Sequence, residues 1–372
     1  MKNTFGSAVT LTIFGESHGP EIGAVLDGLA PGMEVSGDSI RKQLDKRRPA
    51  GAISTARREA DEFHIASGVF EGRTTGTPLT IIIPNADVHS RDYASLRHTP
   101  RPGHADYTAQ VKYRGFQDYR GGGHFSGRIT AALCAAGGIL LPALEKKGIL
   151  IGSHIAALGG GEPLLRDQAF SGDEALLTEQ LRSLDCKDFP ALDPEAEKAM
   201  RERILEMRDL HDSCGGILEG CIAGLPAGTG EPWFDTVEGV LSHALFGIPA
   251  VKGVDFGGAF DLAGLPGSEY NDGFCLSDSG EVRTSTNHNG GVNGGIANGM
   301  PILFRVMVKP TPSVFLPQAT VDLEKGTGAT LSLSGRHDPA VIHRAAAAVN
   351  CAAALAAADL LTVRYGADYL GE

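Results

Sequence analysis

Residues 118–147 read DYRGGGHFSGRITAALCAAGGILLPALEKK. The second half of this stretch spaces Ile129, Leu133, Ala136, Leu140 and Leu144 at helical intervals. That predicts a helix over 128–147, entered from the loop Arg120-Gly121-Gly122-Gly123-His124. A glycine loop opening onto a helix is anion-binding geometry, because the first-turn N–H groups have no partners inside the helix. Just upstream stands Arg101-Pro102-Gly103-His104-Ala105-Asp106. Arginine holds anions in a fixed fork, and histidine exchanges protons near neutral pH. Together the two runs read as a phosphate or carboxylate cradle with an imidazole beside it, against the plainer reading of a turn-rich loop.

Charge supports the cradle. The chain carries a formal net charge of -12, which disfavours nucleic acid as a partner because such binders need a basic footprint. Residues 91–128 nevertheless hold seven Lys or Arg against three acids. A basic segment in an acidic protein suits a small anion in a pocket. Glycine, at 50 of 372 residues, is about twice its usual share of ~7%, and it clusters near positions 15, 121, 290 and 335.

Working outward, Val9, Leu11 and Ile13 alternate with Thr10 and Thr12 as a half-buried strand that ends at Gly15-Glu16-Ser17-His18-Gly19. Ile22, Ala24 and Leu26 continue as a second strand, and Leu79 to Ile83 is a third, stopped by Pro84-Asn85. Downstream, Asp193-Pro194 opens a charged helix that the pattern carries to Gly215-Gly216. A helix is expected over 236–246 and a strand over 251–256. The alternation of Ile302, Phe304, Val306 and Val308 marks a strand running into Lys309-Pro310-Thr311-Pro312-Ser313. The last helix is expected to start with Asp338 as N-cap and Pro339 at its first position, and to run to about Arg364 before Gly366. No Pro, Ser or Gly linker divides the chain. The expectation is a single α+β domain over residues 1–372, with strands and helices in layers.

Several chemistries can be set aside. Gly15-Glu16-Ser17-His18-Gly19 has the spacing of a hydrolase nucleophile elbow, but a strand rather than a helix follows it. Thr286 to Gly295 is an amide-rich loop without the strand, helix and spaced acid of a dinucleotide fingerprint. The six cysteines form no CxxC pair and have no His at metal-ligand spacing, so no metal is expected. The N-terminus lacks a secretory pattern and no 18-residue apolar run suggests a membrane span, which makes the cytoplasm the expected compartment.

Taken in order, Phe14 to Gly19, Arg101 to Asp106, Asp118 to Gly123, Asn287 to Gly295 and Arg336 to Pro339 resemble the signature regions of the chorismate synthase family. Gly68-Val69-Phe70-Glu71-Gly72, Gly224-Leu225-Pro226 and Ala250-Val251-Lys252-Gly253 extend the resemblance over nearly all of residues 5–365. It implies a fold of helices sandwiched between antiparallel sheets and a homotetramer. It also implies a lyase of the shikimate pathway to aromatic amino acids, which removes phosphate from 5-enolpyruvylshikimate 3-phosphate by anti 1,4-elimination with reduced FMN and no net oxidation. Flavin contacts are implied at His124, Phe125, Ser126, Ala250, Gly294, Lys309, Pro310, Thr311, Pro312, Ser313 and Arg336. Substrate arginines are implied at Arg47, Arg48, Arg120 and Arg128, with Arg336 a further candidate, and proton-handling groups at His18, His104 and Asp338. The chain departs from the commoner pattern at His124-Phe125-Ser126, where many members have Arg-Ser-Ser, at the arginine-free loop Pro49 to Ile53, and at Pro249 in place of Asn.

Two rival readings compete with this one. A bifunctional form that reduces its own flavin with NADPH (an NADP-linked activity) is disfavoured by the missing dinucleotide fingerprint, so a separate flavin reductase or other reductant is expected. A non-catalytic flavin or phosphometabolite-binding protein is disfavoured by the joint presence of His18, His104 and Asp338. Phosphate release separates this last class from an enzyme.

Overall fold

The helix expected after the glycine loop forms over Thr130–Lys146, preceded by a short 3-10 turn at Gly127–Ile129. In this computed structural model the residues described are 2–49, 51, 53–54, 60–86, 97–277, 279–333 and 338–371. The helix is apolar on all sides, as a fully enclosed helix must be, and small residues set how closely its neighbours approach. A Cβ on Gly137 would sit 2.2 Å from Cys351 Sγ, and one on Gly138 would sit 2.5 Å from Ile40 Cα. These two glycines therefore let the helices Ile342–Tyr365 and Gly37–Arg47 press directly onto it.

Two sheets enclose this trio. In the first the strand order is Thr4–Phe5, Thr10–Gly15, Glu21–Asp27, Leu79–Pro84 and His64–Ser67, every pair antiparallel. In the second it is Val251–Phe256, Ile302–Val308, Gly216–Ala223, Leu150–Leu158 and Leu165–Arg166, again antiparallel throughout. Thr130–Lys146 packs on the first sheet and Ile342–Tyr365 on the second. The α+β layering expected from the sequence is what forms. Alternating residues Ile302, Phe304, Val306 and Val308 are all buried, as a strand facing a helical layer requires.

Register brings several chain ends to one side. Gly15 pairs with Ile22 and Glu21 with Pro84 at one end of the first sheet. Val308 pairs with Gly216 and Val251 at one end of the second. Hydrogen bonds described below tie both ends to the N-termini of the helices Thr130–Lys146 and Ile342–Tyr365 and to the C-terminus of Gly37–Arg47.

Three expectations need correction. The charged helix begins where expected, with the Asp193 side chain accepting from Glu195 N, but it stops at Asp209 rather than near Gly215. His211 takes φ +60, His211 N bonds Arg208 O at 3.0 Å and Asp212 N bonds Met207 O at 3.0 Å. This is a Schellman ending with histidine in the place glycine usually fills. The last helix begins at Ile342, and Val341, not Asp338, is its cap residue. Pro339 and Ala340 are held instead beside Cys214, through Cys214 N to Pro339 O at 2.9 Å and a parallel bridge to Ala340. Finally, Gly127–Lys146 and Ile342–Tyr365 are long and apolar enough to cross a bilayer, but 78% and 89% of their apolar windows are buried inside the protein itself. Their apolarity is that of core helices.

Candidate active site

His18 sits in the turn between the first two long strands and is 5% exposed. Ser17 N bonds Gly123 O at 3.1 Å, which lays this turn on the glycine loop. The Ser17 hydroxyl faces the carbonyls of Arg120 (3.3 Å) and Gly121 (3.2 Å) and His18 Nδ1 (3.2 Å). The hydroxyl has one hydrogen to share among these three neighbours, and when it is given to a carbonyl the Ser17 oxygen can accept from His18 Nδ1–H. Gly121, Gly122 and Gly123 all have positive φ. At Gly121 a Cβ would lie 2.2 Å from His18 Cε1, so only glycine lets backbone and imidazole meet here.

The second imidazole is oriented by a carboxylate. His104 Nδ1 lies 2.7 Å from Asp106 Oδ1, and Arg101 grips the same carboxylate from Nε and Nη2 at 2.8 Å each. Burial works against the charge of Asp106, but the bonds from Arg101 and His104 prevail and hold its carboxyl well below the usual range. An ionised Asp106 accepts from Nδ1–H and turns the ring so that Nε2 lies beside Gly122, whose added Cβ would be 3.2 Å away. His104, Asp106, Gln117, Asp118, Gly122 and Phe125 line one cleft.

Lys309 to Ser313 lie against the run Arg101 to Asp106. Lys309 N bonds Ala250 O at 2.9 Å, with Ala250 at φ +75. The Lys309 ammonium donates to Gly103 O, Arg101 Nη1 reaches Ser313 Oγ at 3.4 Å, and Pro312 lies beside Gly103. Pro310 packs against Gly215, and Ser213 Oγ donates to Thr311 O at 2.7 Å. Among the residues after the triple glycine, His124 Nδ1 donates to Gly15 O at 2.7 Å and Ser126 Oγ accepts from Arg128 N at 3.3 Å. Phe125 meets Tyr113 edge-on.

The implied arginines divide into two groups. Arg120 is held by Asp118 in a two-bond fork of 2.8 and 2.7 Å. Burial pushes the Asp118 carboxyl up, but this fork brings it below its ordinary value. Arg47 and Arg128 are buried and share the carboxylate of Asp61, while Arg48 pairs with Asp45 at 2.5 Å. Asp338 pairs with Arg344 at 2.5 Å, and Arg344 Nε also donates to Arg47 O at 2.8 Å. Arg336 lies outside the described residues.

One implied contact does not join the others. Gly294 sits in the turn between Val292–Asn293 and Ile296–Ala297, and its loop packs on Leu303 and Gly257. That is the start of Ile302–Val308, roughly 20 Å along the strand from Lys309 at ~3.3 Å per residue. Within one chain, Gly294 does not reach the cleft. Conversely, Arg101, Asp106 and Asp118 turn out to orient the site's imidazole and arginine; their motifs gave the signal. Asp61, Asn85 and Arg344 have no local sequence mark.

Known proteins resemble this chain over nearly its whole length. A profile of the chorismate synthase family matches residues 9–362. The chorismate synthase of Thermococcus kodakarensis is 44% identical over 359 residues, covering 96% of this chain and 97% of its own. That of Methanothermobacter thermautotrophicus is 41% identical, covering 96% and 93%. A solved structure described as a crystal structure of chorismate synthase superposes with a TM-score of 0.75 at 26% identity, covering 98% of this chain and 94% of that one. A match of this extent establishes that the protein belongs to the chorismate synthase family.

Proposed function

We propose that the protein catalyses the family's reaction: anti 1,4-elimination of phosphate from 5-enolpyruvylshikimate 3-phosphate to give chorismate, with reduced FMN bound and no net redox change. The observation that carries this reading is the meeting of His18, the positive-φ glycine loop and the carboxylate-oriented His104 in one place. The donor set suits a phosphate-bearing flavin beside an anionic substrate. Thr311 Oγ1 and Gln117 Oε1 are buried without a hydrogen-bond partner among the described residues, as groups awaiting a polar ligand would be.

Reduced FMN, if bound beside these residues, would lend electron density to the elimination without being consumed. The protein's residues do the rest. Arg47, Arg48, Arg120 and Arg128 hold the substrate's anionic groups and stabilise charge growing on the departing phosphate. His18 donates a proton to that phosphate. His104, oriented by Asp106, maintains the protonation state of the cofactor, and Asp338, held by Arg344, assists removal of the C6 proton. Each such group is worth about 10²- to 10⁴-fold. His124, Phe125, Ser126, Ala250 and Lys309 to Ser313 are the flavin-side contacts in this reading. The activity is that of a carbon–oxygen lyase in the cytoplasm, working as a homotetramer with a separate source of reduced flavin. The one-domain organisation is part of the same proposal, supported by a continuous set of buried side chains from Val9 to Leu370.

The test is anaerobic incubation with chemically reduced FMN and 5-enolpyruvylshikimate 3-phosphate. Equal amounts of phosphate and chorismate are expected. Flavin binding without phosphate release would instead make this a non-catalytic binding protein.

A further inference from the structure

Asn85 stands out in the sequence only as the residue after a strand-stopping proline, yet its side chain reaches two of the groups described above. Its Nδ2 donates to the carbonyls of Glu16 and Gly19 at 2.9 Å each. Its Oδ1 accepts from Arg128 Nε at 3.1 Å, and its backbone N–H donates to Pro20 O at 2.9 Å. Glu16 to Gly19 form a four-residue turn closed by Gly19 N to Glu16 O at 3.0 Å, and His18 is its third residue. One side-chain amide therefore clasps the first and last carbonyls of the turn that carries His18.

The chemistry of these partners fixes which way the amide faces. Carbonyl oxygens only accept and a guanidinium only donates. The amide nitrogen must face Glu16 and Gly19, and the oxygen must face Arg128. Flipped, the amide would set its oxygen against two carbonyls and its N–H groups against the guanidinium. Aspartate has the same shape but no hydrogen to give when ionised, and serine has one. The clasp is also anchored. Asn85 follows the strand Leu79–Pro84, whose Pro84 pairs with Glu21 at the end of the first sheet. Arg128 stands in the turn Gly127–Ile129 that leads into the core helix. A sheet end, the His18 turn and the start of that helix are thus joined at one side chain.

Resting on the functional reading above, we propose that Asn85 is a positioning residue of the reaction: it fixes the His18 imidazole relative to the Arg128 guanidinium, so that proton donor and anion holder meet the same phosphate. In this role it acts only through those two groups. A loosened turn lets the imidazole drift, and a misplacement of ~1 Å costs roughly 10²-fold in rate.

Wild-type protein is first assayed for chorismate formation, and failure there sinks the functional reading. Hydrogen–deuterium exchange needs no turnover and tests Asn85 by itself. The amides of Ser17 and Gly19 bond Gly123 O and Glu16 O. In Asn85→Ala they should exchange about tenfold faster or more, while the amides of Thr130–Lys146 keep their wild-type rates. Unchanged exchange at the turn would overturn the proposal. Should Asn85→Ala fail to fold, Asn85→Asp keeps the size and the acceptor toward Arg128 but gives up both donors. It should show the same faster exchange, and unchanged rates would again refute the assignment.

The rate is read as a double-mutant cycle with His18→Gln. In the wild-type background the folded Asn85 variant should slow single-turnover phosphate release about tenfold or more. In the His18→Gln background it should slow release less than about threefold, because groups that act as a unit are not additive. The same factor in both backgrounds would make Asn85 a general structural residue and overturn the proposal. So would wild-type rates in the folded Asn85 variant.

Discussion

Gly121→Ala asks whether the glycine loop is there to seat His18. The added Cβ would lie 2.9 Å from Ser17 Oγ, and 2.2 Å from His18 Cε1 and 2.3 Å from Nδ1, the last two more than 1 Å short of the 3.4 Å at which ordinary contact begins. The backbone angle there, φ +58, adds strain of about 1–2 kcal/mol for any L-residue, and overpacking costs a further ~1–3 kcal/mol. Gly148→Ala is the control. It has φ +77 with nothing within 4 Å of the added Cβ, and it lies just past the far end of Thr130–Lys146. Both variants share the strain, but only Gly121→Ala must push the imidazole aside. A displacement of ~1 Å at a reacting group costs roughly 10²-fold in rate. Single-turnover phosphate release should therefore fall about 10²-fold in Gly121→Ala and stay within about threefold in Gly148→Ala, with melting temperatures recorded for both. If Gly121→Ala keeps wild-type turnover per folded molecule, His18 is not positioned by this loop and the argument fails.

Asp338→Asn should cost about 1–3 kcal/mol, because it weakens a largely buried pair with Arg344 rather than a helix cap, and turnover should fall by about 10²-fold or more; a loss merely proportional to unfolded protein would make Asp338 structural. His104→Ala should lower the rate roughly 10- to 10³-fold with flavin still bound, and unchanged turnover over pH 6 to 8 would deny it a chemical role. Asp359 accepts from the backbone of Ser7, Ala8 and Val9 at 2.7–3.1 Å. Asp359→Ala should cost at least ~3 kcal/mol in urea unfolding, and Asp359→Asn, which keeps one acceptor, less; equal losses would contradict this. At the buried His154, burial opposes the charge but bonds from Asp167 and Glu219 raise the imidazole above its ordinary value. Its contribution is therefore full below the unfolded value of about 6.5 and is lost as pH rises through the folded value. The stability gap between wild type and His154→Gln should be larger at pH 6 than at pH 8.5, and the reverse order would refute this assignment.

What the sequence revealed follows from where each element's determinants lie. Strands such as Thr10–Gly15 and Ile302–Val308 announce themselves because one face meets the helical layer and the residues alternate accordingly. The start of the helix Pro194–Asp209 was legible because its cap is local. Its end was not, since histidine rather than glycine takes the left-handed position. Asp338-Pro339 has the local form of a helix start, but pairing with Cys214 overrides it. Contact across the sequence decides there.

The site divides in the same way. The runs around His18, His104 and Gly121 carry their chemistry in their own residue types, and Lys309 to Ser313 follow a clear strand. Asp61 could not be found this way, because its partners Arg47 and Arg128 stand 14 and 67 residues off. Gly294 shows the converse. Its glycine-rich loop looks like the others, yet the register of Ile302–Val308 carries it to the opposite end of the sheet.

The most direct measurement is the flavin stoichiometry of turnover under anaerobic conditions. With substrate in large excess over reduced FMN, the account predicts many equivalents of chorismate and phosphate per flavin, with the flavin spectrum returning to the reduced form. One flavin oxidised for each chorismate formed would contradict it.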